Sequence, residues 1–184
     1  MRKITLVIFL FFGFSLQLQA QYGYKRFFPS IGVTGQYMTA PKYTGYDFNL
    51  TFIARYNFVE INFENTVSVE VRPQIGMGTR DWYIYGAYSE TFPTRMSYSM
   101  PVLFNYNWGL NAEENSVFLT GVSFGGGYNF SNVLSDEPPY EIIQGPCFNL
   151  DFRVDADPVS HVSLFYTHGL DGARLFSVGF YYDF

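Results

Sequence analysis

The chain has 184 residues, with 11 basic and 16 acidic side chains and a formal net charge of −5. An acidic surface argues against nucleic acid as a partner, because binding to phosphates needs a basic face. Aromatic residues make up 21% of the chain. Beyond the first 20 residues, however, no stretch approaches the roughly eighteen consecutive apolar residues of a transmembrane helix. This excludes a helical membrane protein.

Residues 1–20 have the layout of a cleavable signal peptide. Arg2 and Lys3 form a basic start, an apolar run occupies residues 4–14, and Ala20 ends the segment. The run is too short to span a bilayer, although a short membrane anchor is the alternative. Removal of this segment leaves one domain, residues 21–184, with nine basic and 16 acidic side chains. The single cysteine, Cys147, cannot form an internal disulfide, and we interpret it as a small apolar strand residue.

Polar and apolar residues alternate with period two from Ile31 to Phe184, which predicts β-strands. Division of residues 21–184 by eight strands gives about 20 residues for each strand and its connection, which suits membrane-spanning strands of roughly ten residues. We therefore predict an all-β protein, a closed antiparallel up-and-down transmembrane barrel. Its eight predicted strands lie near residues 29–38, 46–57, 66–78, 95–108, 116–130, 145–155, 160–168 and 174–184.

The two faces of the predicted strands differ in polarity. In the third strand Val69 and Val71 share one face, while Glu70 and Arg72 share the other. Charges at mid-strand favour a closed polar lumen, with the apolar face toward lipid. Aromatic residues gather at strand ends, as in the girdles of membrane barrels. A soluble β-sandwich with its apolar face inward is the alternative.

The predicted connections alternate between short and long. The inner turns are residues 58–65, 109–115 and 156–159, and the outer loops are residues 39–45, 79–94, 131–144 and 169–173. Loop 131–144 contains acidic residues that could bridge cations to lipid phosphates, or it is an ordinary solvated loop. Loop 79–94 is a candidate surface for binding sugar or protein. Alternatively its rings pack on the rim, or a strand extends past the membrane. The aromatic residues concerned are Trp82, Tyr83, Tyr85, Tyr88 and Phe92.

The final segment, residues 175–184, resembles the C-terminal assembly signal of outer-membrane barrels. It is an amphipathic last strand that ends on an aromatic residue, with the apolar positions Phe176, Val178, Phe180, Tyr182 and Phe184. Together with the signal peptide, it makes residues 21–184 similar to the small, eight-stranded outer-membrane β-barrel domain family of the Gram-negative type. That resemblance implies a location in the cell outer membrane. It also implies lipid and the barrel-assembly machinery as partners. The family has no shared catalytic motif, so the resemblance implies no reaction and no cofactor.

Six charged residues are predicted to face the lumen, three of each sign. An eight-stranded barrel has an interior just wide enough to be filled by side chains, so we interpret these charges as an ion-pair network that plugs it. An ion or proton path through the lumen is the alternative. Gly125 and Gly127 are expected to make room for large side chains from across the barrel, the long arginines among them. The registers of the second and third strands are expected to place Arg55 close to Glu70, if the turn between them is centred near Ile61. The six charges are Arg55, Glu70, Arg72, Asp151, Arg153 and Asp155.

The two histidines offer a weak enzymatic hypothesis. His161 and His168 are seven positions apart, which places them on opposite faces of one strand and excludes a shared metal ion. His168 and Asp171 near the outer rim could serve a lipid-modifying barrel enzyme. The leading hypothesis is a non-enzymatic barrel that contacts surface ligands through its outer loops. The alternative is an accessory barrel subunit of an envelope secretion or conjugative-transfer machine, and the enzyme comes third.

Overall fold

The structure, a computed structural model, describes residues 27–41, 43–62, 64–84, 87–110, 118–134, 142–155 and 159–184. The side chains of residues 43, 80–84, 87–95, 132–134 and 142 are outside that description. The predicted signal peptide also lies outside the described residues. In the described part, no helix has the length and apolar character needed to cross a membrane.

The described chain forms nine β-segments in one sheet. They are β1 Phe27–Ala40, β2 Tyr43–Asn62, β3 Asn65–Val71, β4 Gln74–Ile84, β5 Ala87–Gly109, β6 Thr120–Leu134, β7 Ile142–Val154, β8 Ser160–His168 and β9 Arg174–Asp183. Segments β3 and β4 both pair with β2 and with β5, so they are successive parts of one strand. The nine segments therefore make eight strands.

A proline marks the break between β3 and β4. The register with β2 continues across it, from the Ala54–Val71 pair to the Thr51–Gln74 pair. Pro73 has no backbone N–H to donate to the sheet, but its carbonyl still accepts a hydrogen bond from the N–H of Phe52. The strand thus loses part of its hydrogen bonding without a shift in register.

The sheet closes on itself. Every neighbouring pair is antiparallel, and β1 pairs with β2 on one side and with β9 on the other. This confirms the predicted closed up-and-down barrel of eight strands. For orientation, the loop end of the barrel is the end at which β1 finishes at Ala40, β4 at Ile84, β6 at Leu134 and β8 at His168. The terminal end contains Phe27 and Asp183.

Several observed strands are longer than predicted, and one predicted loop is wrong. Strand β4 runs to Ile84 and β5 begins at Ala87, so most of residues 79–94 form a hairpin and not a loop. The strand extension given as an alternative is therefore confirmed for the backbone, whereas the binding role of this segment stays a prediction. Aromatic and β-branched residues, which favour strands, continue through Trp82, Tyr83 and Ile84. At the other end, β2 reaches Asn62, which shortens the predicted turn 58–65.

The alternation of side chains matches the predicted faces. Ser68, Glu70 and Arg72 are buried inside the barrel, while Ile75 and Met77 are 49% and 58% exposed on its outer face. The interior is not polar throughout, because an apolar cluster lies toward the loop end. Cys147 belongs to this cluster and is 1% exposed. The other members of the cluster are Met38, Leu103, Ile143, Phe165, Ala173 and Leu175.

Candidate functional site in the barrel interior

Arg72 lies at the centre of the interior and holds two carboxylates. It falls in the gap between β3 and β4, at an inward position of the period-two pattern. Its Nε donates to Glu70, and its Nη2 lies 2.7 Å from Oδ2 of Asp151 on β7. Its Nη1 donates to Oγ of Ser163 at 2.6 Å. Arg72 therefore ties the third strand to β7 and β8 across the barrel.

Amides donate further hydrogen bonds to the two carboxylates, although Oδ1 of Asp151 has no hydrogen-bond partner in the described part of the chain. Nδ2 of Asn105 lies 3.1 Å from Oε2 of Glu70, and Nδ2 of Asn149 lies 2.9 Å from Oδ2 of Asp151. Glu70 and Asp151 are 1% and 0% exposed. A buried ion is tolerated only when charge and hydrogen bonds compensate its lost hydration. The central cluster has such compensation.

A second cluster of charges lies at the terminal end. Nη2 of Arg153 is 2.9 Å from Oδ2 of Asp183, whose other oxygen accepts a hydrogen bond from Ser30. Nη1 of Arg153 donates to the carbonyl of Leu110 at 3.2 Å. Nε2 of His161 lies 3.9 Å from Oδ1 of Asp183. This cluster draws together β1, β7, β8, β9 and the residue after β5.

The terminal cluster corrects one predicted residue. Asp155 is exposed, whereas Asp183, which is 12% exposed, supplies the carboxylate that pairs with Arg153. Asp155 is an even number of positions from Asp151 and Arg153, which face inward. However, it follows Val154, where β7 ends. Its side chain therefore meets water at the mouth of the barrel. Asp183 is an even number of positions from Ser177, which faces inward, and this spacing was the sequence signal that could have identified Asp183 as an interior residue.

Arg55 is buried without an ion pair among the described residues. The register places it opposite Glu70, as expected, but Glu70 binds Arg72 and Asn105. The guanidinium of Arg55 instead packs on the ring of Phe28, 4.9 Å from the ring centroid. Of the six predicted interior charges, five are buried, and one of those five lacks a carboxylate partner in the described part of the chain.

Neutral polar groups fill much of the remaining interior. Nδ2 of Asn107 contacts Oγ1 of Thr66 and Oγ of Ser68, both at 3.0 Å. Tyr181 shares a hydrogen bond with Thr34 at 2.9 Å. Sequence reasoning missed Tyr181 as an interior residue, although it lies two positions from Asp183 and therefore on the same face of the strand. These contacts connect strands far apart in sequence and leave the interior densely hydrogen bonded.

Gly125 and Gly127 do not serve the arginines as expected. A methyl group at Gly125 would overlap the side-chain oxygen of Asn105, and one at Gly127 would overlap the backbone of Val102 and Leu103. The space beside Gly125 therefore accommodates Asn105, which binds Glu70. The glycines permit close packing between β5 and β6.

The two histidines lie on opposite faces, as predicted. His161 is buried beside the ring of Tyr181, whereas His168 is exposed and 3.3 Å from the hydroxyl of Tyr166. Asp171 accepts a hydrogen bond from the backbone N–H of Ala173 at 3.1 Å. Within the described residues, no hydrogen bond or ion pair joins His168 to Asp171, so the pair proposed for lipid chemistry is not assembled.

The two remaining sets of candidate residues lie in the β4–β5 hairpin and along the last strand. The backbones of Trp82 and Tyr83 pair with Glu90 and Tyr88 in the β4–β5 hairpin. The side chains of this candidate binding surface, and Tyr85 as a whole, lie outside the described residues. The apolar positions of the last strand are all exposed on the outer face: Phe176, Val178, Phe180, Tyr182 and Phe184.

Comparison with known proteins supports the fold. No family model matches the chain, and no curated protein matches it. Among solved structures, it is similar to Ail, the attachment invasion locus protein of Yersinia pestis, with a TM-score of 0.52 and 15% sequence identity over 86% of this chain and 98% of that one. A structure of Ail in complex with the heparin analogue sucrose octasulfate gives a TM-score of 0.50 and 16% identity over the same shares. The chain thus has the eight-stranded barrel fold of these structures.

Proposed function

We propose that this protein is an integral barrel of the cell outer membrane that binds surface ligands through its loop end and has a plugged lumen. The observation that carries the proposal is the outer face. At the outward positions whose side chains the structure describes, no charged residue lies in the band between Glu60 near the terminal end and Arg174 near the loop end. Exposed on that face are Leu50, Phe104 and Phe148, at 54%, 60% and 60%. Such a band suits lipid and would promote aggregation in water.

The orientation follows from the even number of strands. Both ends of the described chain lie at the terminal end, which we place toward the periplasm, and the β4–β5 hairpin then projects from the cell. The C-terminal pattern at residues 176–184 supports insertion by the barrel-assembly machinery.

Charge at the loop end favours a particular class of ligand. The connections and strand ends there contain four basic residues, Lys42, Arg80, Arg95 and Arg174. They also contain six acidic residues, Asp81, Glu90, Asp136, Glu137, Glu141 and Asp171. This excess of negative charge opposes a polyanion such as the heparin analogue bound by Ail. The aromatic hairpin instead favours a protein or an uncharged sugar, which stack and pack against rings.

A binding experiment on whole cells tests this function. Wild-type protein and the double variant Trp82→Ala/Tyr88→Ala would be expressed in a non-adherent bacterium and exposed to arrays of neutral and sulfated glycans and to immobilised matrix proteins. We expect at least tenfold weaker binding by the variant to a neutral glycan or a protein, with Phe118→Ala as a control at the opposite end. Binding to sulfated glycans alone, or equal binding by both proteins, would contradict the proposal.

Location is tested separately. After separation of inner from outer membranes, the protein should be found in the outer-membrane fraction. A tag inserted at residues 85–86 should be accessible to antibody on intact cells. The alternative role, as an accessory subunit of an envelope secretion or conjugative-transfer machine, predicts stable partners in crosslinked pull-downs from membranes. The proposed role does not include catalysis.

A further inference from the structure

The terminal end of the lumen has an excess of hydrogen-bond donors. Arg55, Arg153 and His161 are 2%, 2% and 3% exposed. In the described part of the chain, five of their nitrogen atoms have no hydrogen-bond partner: Nε and Nη2 of Arg55, Nε of Arg153, and both ring nitrogens of His161. Guanidinium nitrogens can only donate. A group that completes this cluster must therefore accept hydrogen bonds.

Among the described residues, the carboxylates nearest to the cluster are already engaged. Glu70, opposite Arg55 in the register, binds Arg72 through one oxygen and Asn105 through the other. Asp183 binds Arg153 through one oxygen and accepts a hydrogen bond from Ser30 through the other. In the described part of this end of the barrel, two buried guanidiniums thus have one ion pair with a carboxylate between them.

Phe28 holds the two guanidiniums near one another. The guanidinium carbons of Arg55 and Arg153 lie 4.9 and 5.5 Å from the centroid of its ring. Contact with an aromatic ring stabilises each cation and restricts its side chain. Like charges so placed repel each other unless an anion lies near both. The arrangement is one that an anion would stabilise.

We propose that the terminal end of the lumen is a binding site for one small inorganic anion of the halide class. Arg55 and Arg153 donate to it through their unpaired N–H groups, and His161 provides a further donor. Asp183 borders this cluster and is 12% exposed, so the site lies next to the aqueous mouth through which an ion enters. The anion adds the negative charge that Asp183 alone does not supply.

Bromide provides a direct test on the unmodified protein. Crystals of the refolded barrel grown in sodium bromide should show an anomalous peak within hydrogen-bond distance of Arg55 and Arg153. Halide should also stabilise the barrel in detergent when it replaces gluconate at constant ionic strength. At ten times the dissociation constant, a single site shifts the folding equilibrium about tenfold, which corresponds to a rise in melting temperature of about 3–6 °C.

A pair of arginine variants makes the solution test specific. Arg55→Met should abolish the halide-dependent rise, whereas Arg174→Met, which removes an exposed arginine at the loop end, should retain it. If Arg55→Met does not fold, the bromide peak in wild-type crystals still decides. Ordered water in place of an anomalous peak, or an equal rise in both variants, would overturn the proposal.

Discussion

Nη2 of Arg72 lies 2.7 Å from Oδ2 of Asp151 across the barrel, although the two residues are 79 positions apart in sequence. Because Arg72 also holds Glu70, one guanidinium links three positions on two strands that are not neighbours. A contact of this kind forms only when the barrel closes. It makes the central cluster a sensitive test of the closed fold.

Arg72→Met should destabilise the barrel strongly. It would leave Glu70 and Asp151 buried without their cation, and loss of one partner from a buried pair costs about 3–5 kcal/mol. Urea unfolding in lipid vesicles measures the change, with Arg174→Met as an exposed control expected within about 0.5 kcal/mol of wild type. The triple variant Glu70→Gln/Arg72→Met/Asp151→Asn should regain much of the loss, since no unpaired ion remains. Equal stability of Arg72→Met and wild type would show that the cluster is not formed.

Gly179→Ala should disturb the ring of Tyr181. A methyl group at Gly179 would overlap the hydroxyl and ring of Tyr181, which cannot easily move because it is 2% exposed and hydrogen bonded to Thr34. Overpacking of this kind costs about 1–3 kcal/mol. Gly35→Ala is a matched control, since a methyl group there meets nothing within 4 Å.

A double-mutant cycle identifies the cause. Tyr181→Ser removes the ring that the new methyl group would overlap, so adding Gly179→Ala to it should cost less than Gly179→Ala alone, and the difference should exceed 0.5 kcal/mol in magnitude. Additive effects would show that the methyl group is excluded by something other than Tyr181.

Deletion of Phe184 should impair assembly more than stability. Phe184 is 65% exposed on the outer face, and its ring lies 6.4 Å from that of Phe52, so few interior contacts depend on it. The last strand must be recognised while its edge is still unpaired. We expect normal export and reduced insertion, measured by the heat-modifiable folded band from purified outer membranes. Wild-type insertion of the truncated chain would refute the assembly signal, and Leu170→Ala, another exposed apolar residue, is the control.

A plugged lumen should not conduct ions. The interior of an eight-stranded barrel is about filled by side chains, and this one contains both charged clusters and the apolar cluster around Cys147. Planar-bilayer recording of the refolded protein should therefore show no large, stable open conductance. Such a conductance would contradict the plugged lumen and favour an ion path through the barrel. Arg72→Met/Asp151→Asn, which removes the central ion pair, is the variant in which leakage should appear first.

The sequence by itself determined the barrel and the orientation of its faces. Strict alternation at positions such as Val69, Glu70 and Val71 assigns each side chain to one side of a strand, because the side-chain period is two. That local rule correctly predicted eight strands, the buried arginines and the separation of His161 from His168. It did not locate every strand end, because the aromatic and β-branched residues that continue β4 past Thr79 are also residues expected in a binding loop.

Only the tertiary structure decided which charges meet. Arg55 is opposite Glu70 in the register, and sequence reasoning expected them to lie close together. In the structure that carboxylate instead binds Arg72, two positions along the same strand, and Asn105 on the adjacent β5. The fold also places Asp183 against Arg153 and leaves Asp155 in water. The odd or even position of a residue along a strand selects the face on which its side chain lies. Its partner across the lumen depends on the stagger of the strands and on which side chains fill the shared space. Neither of these can be obtained from a single strand.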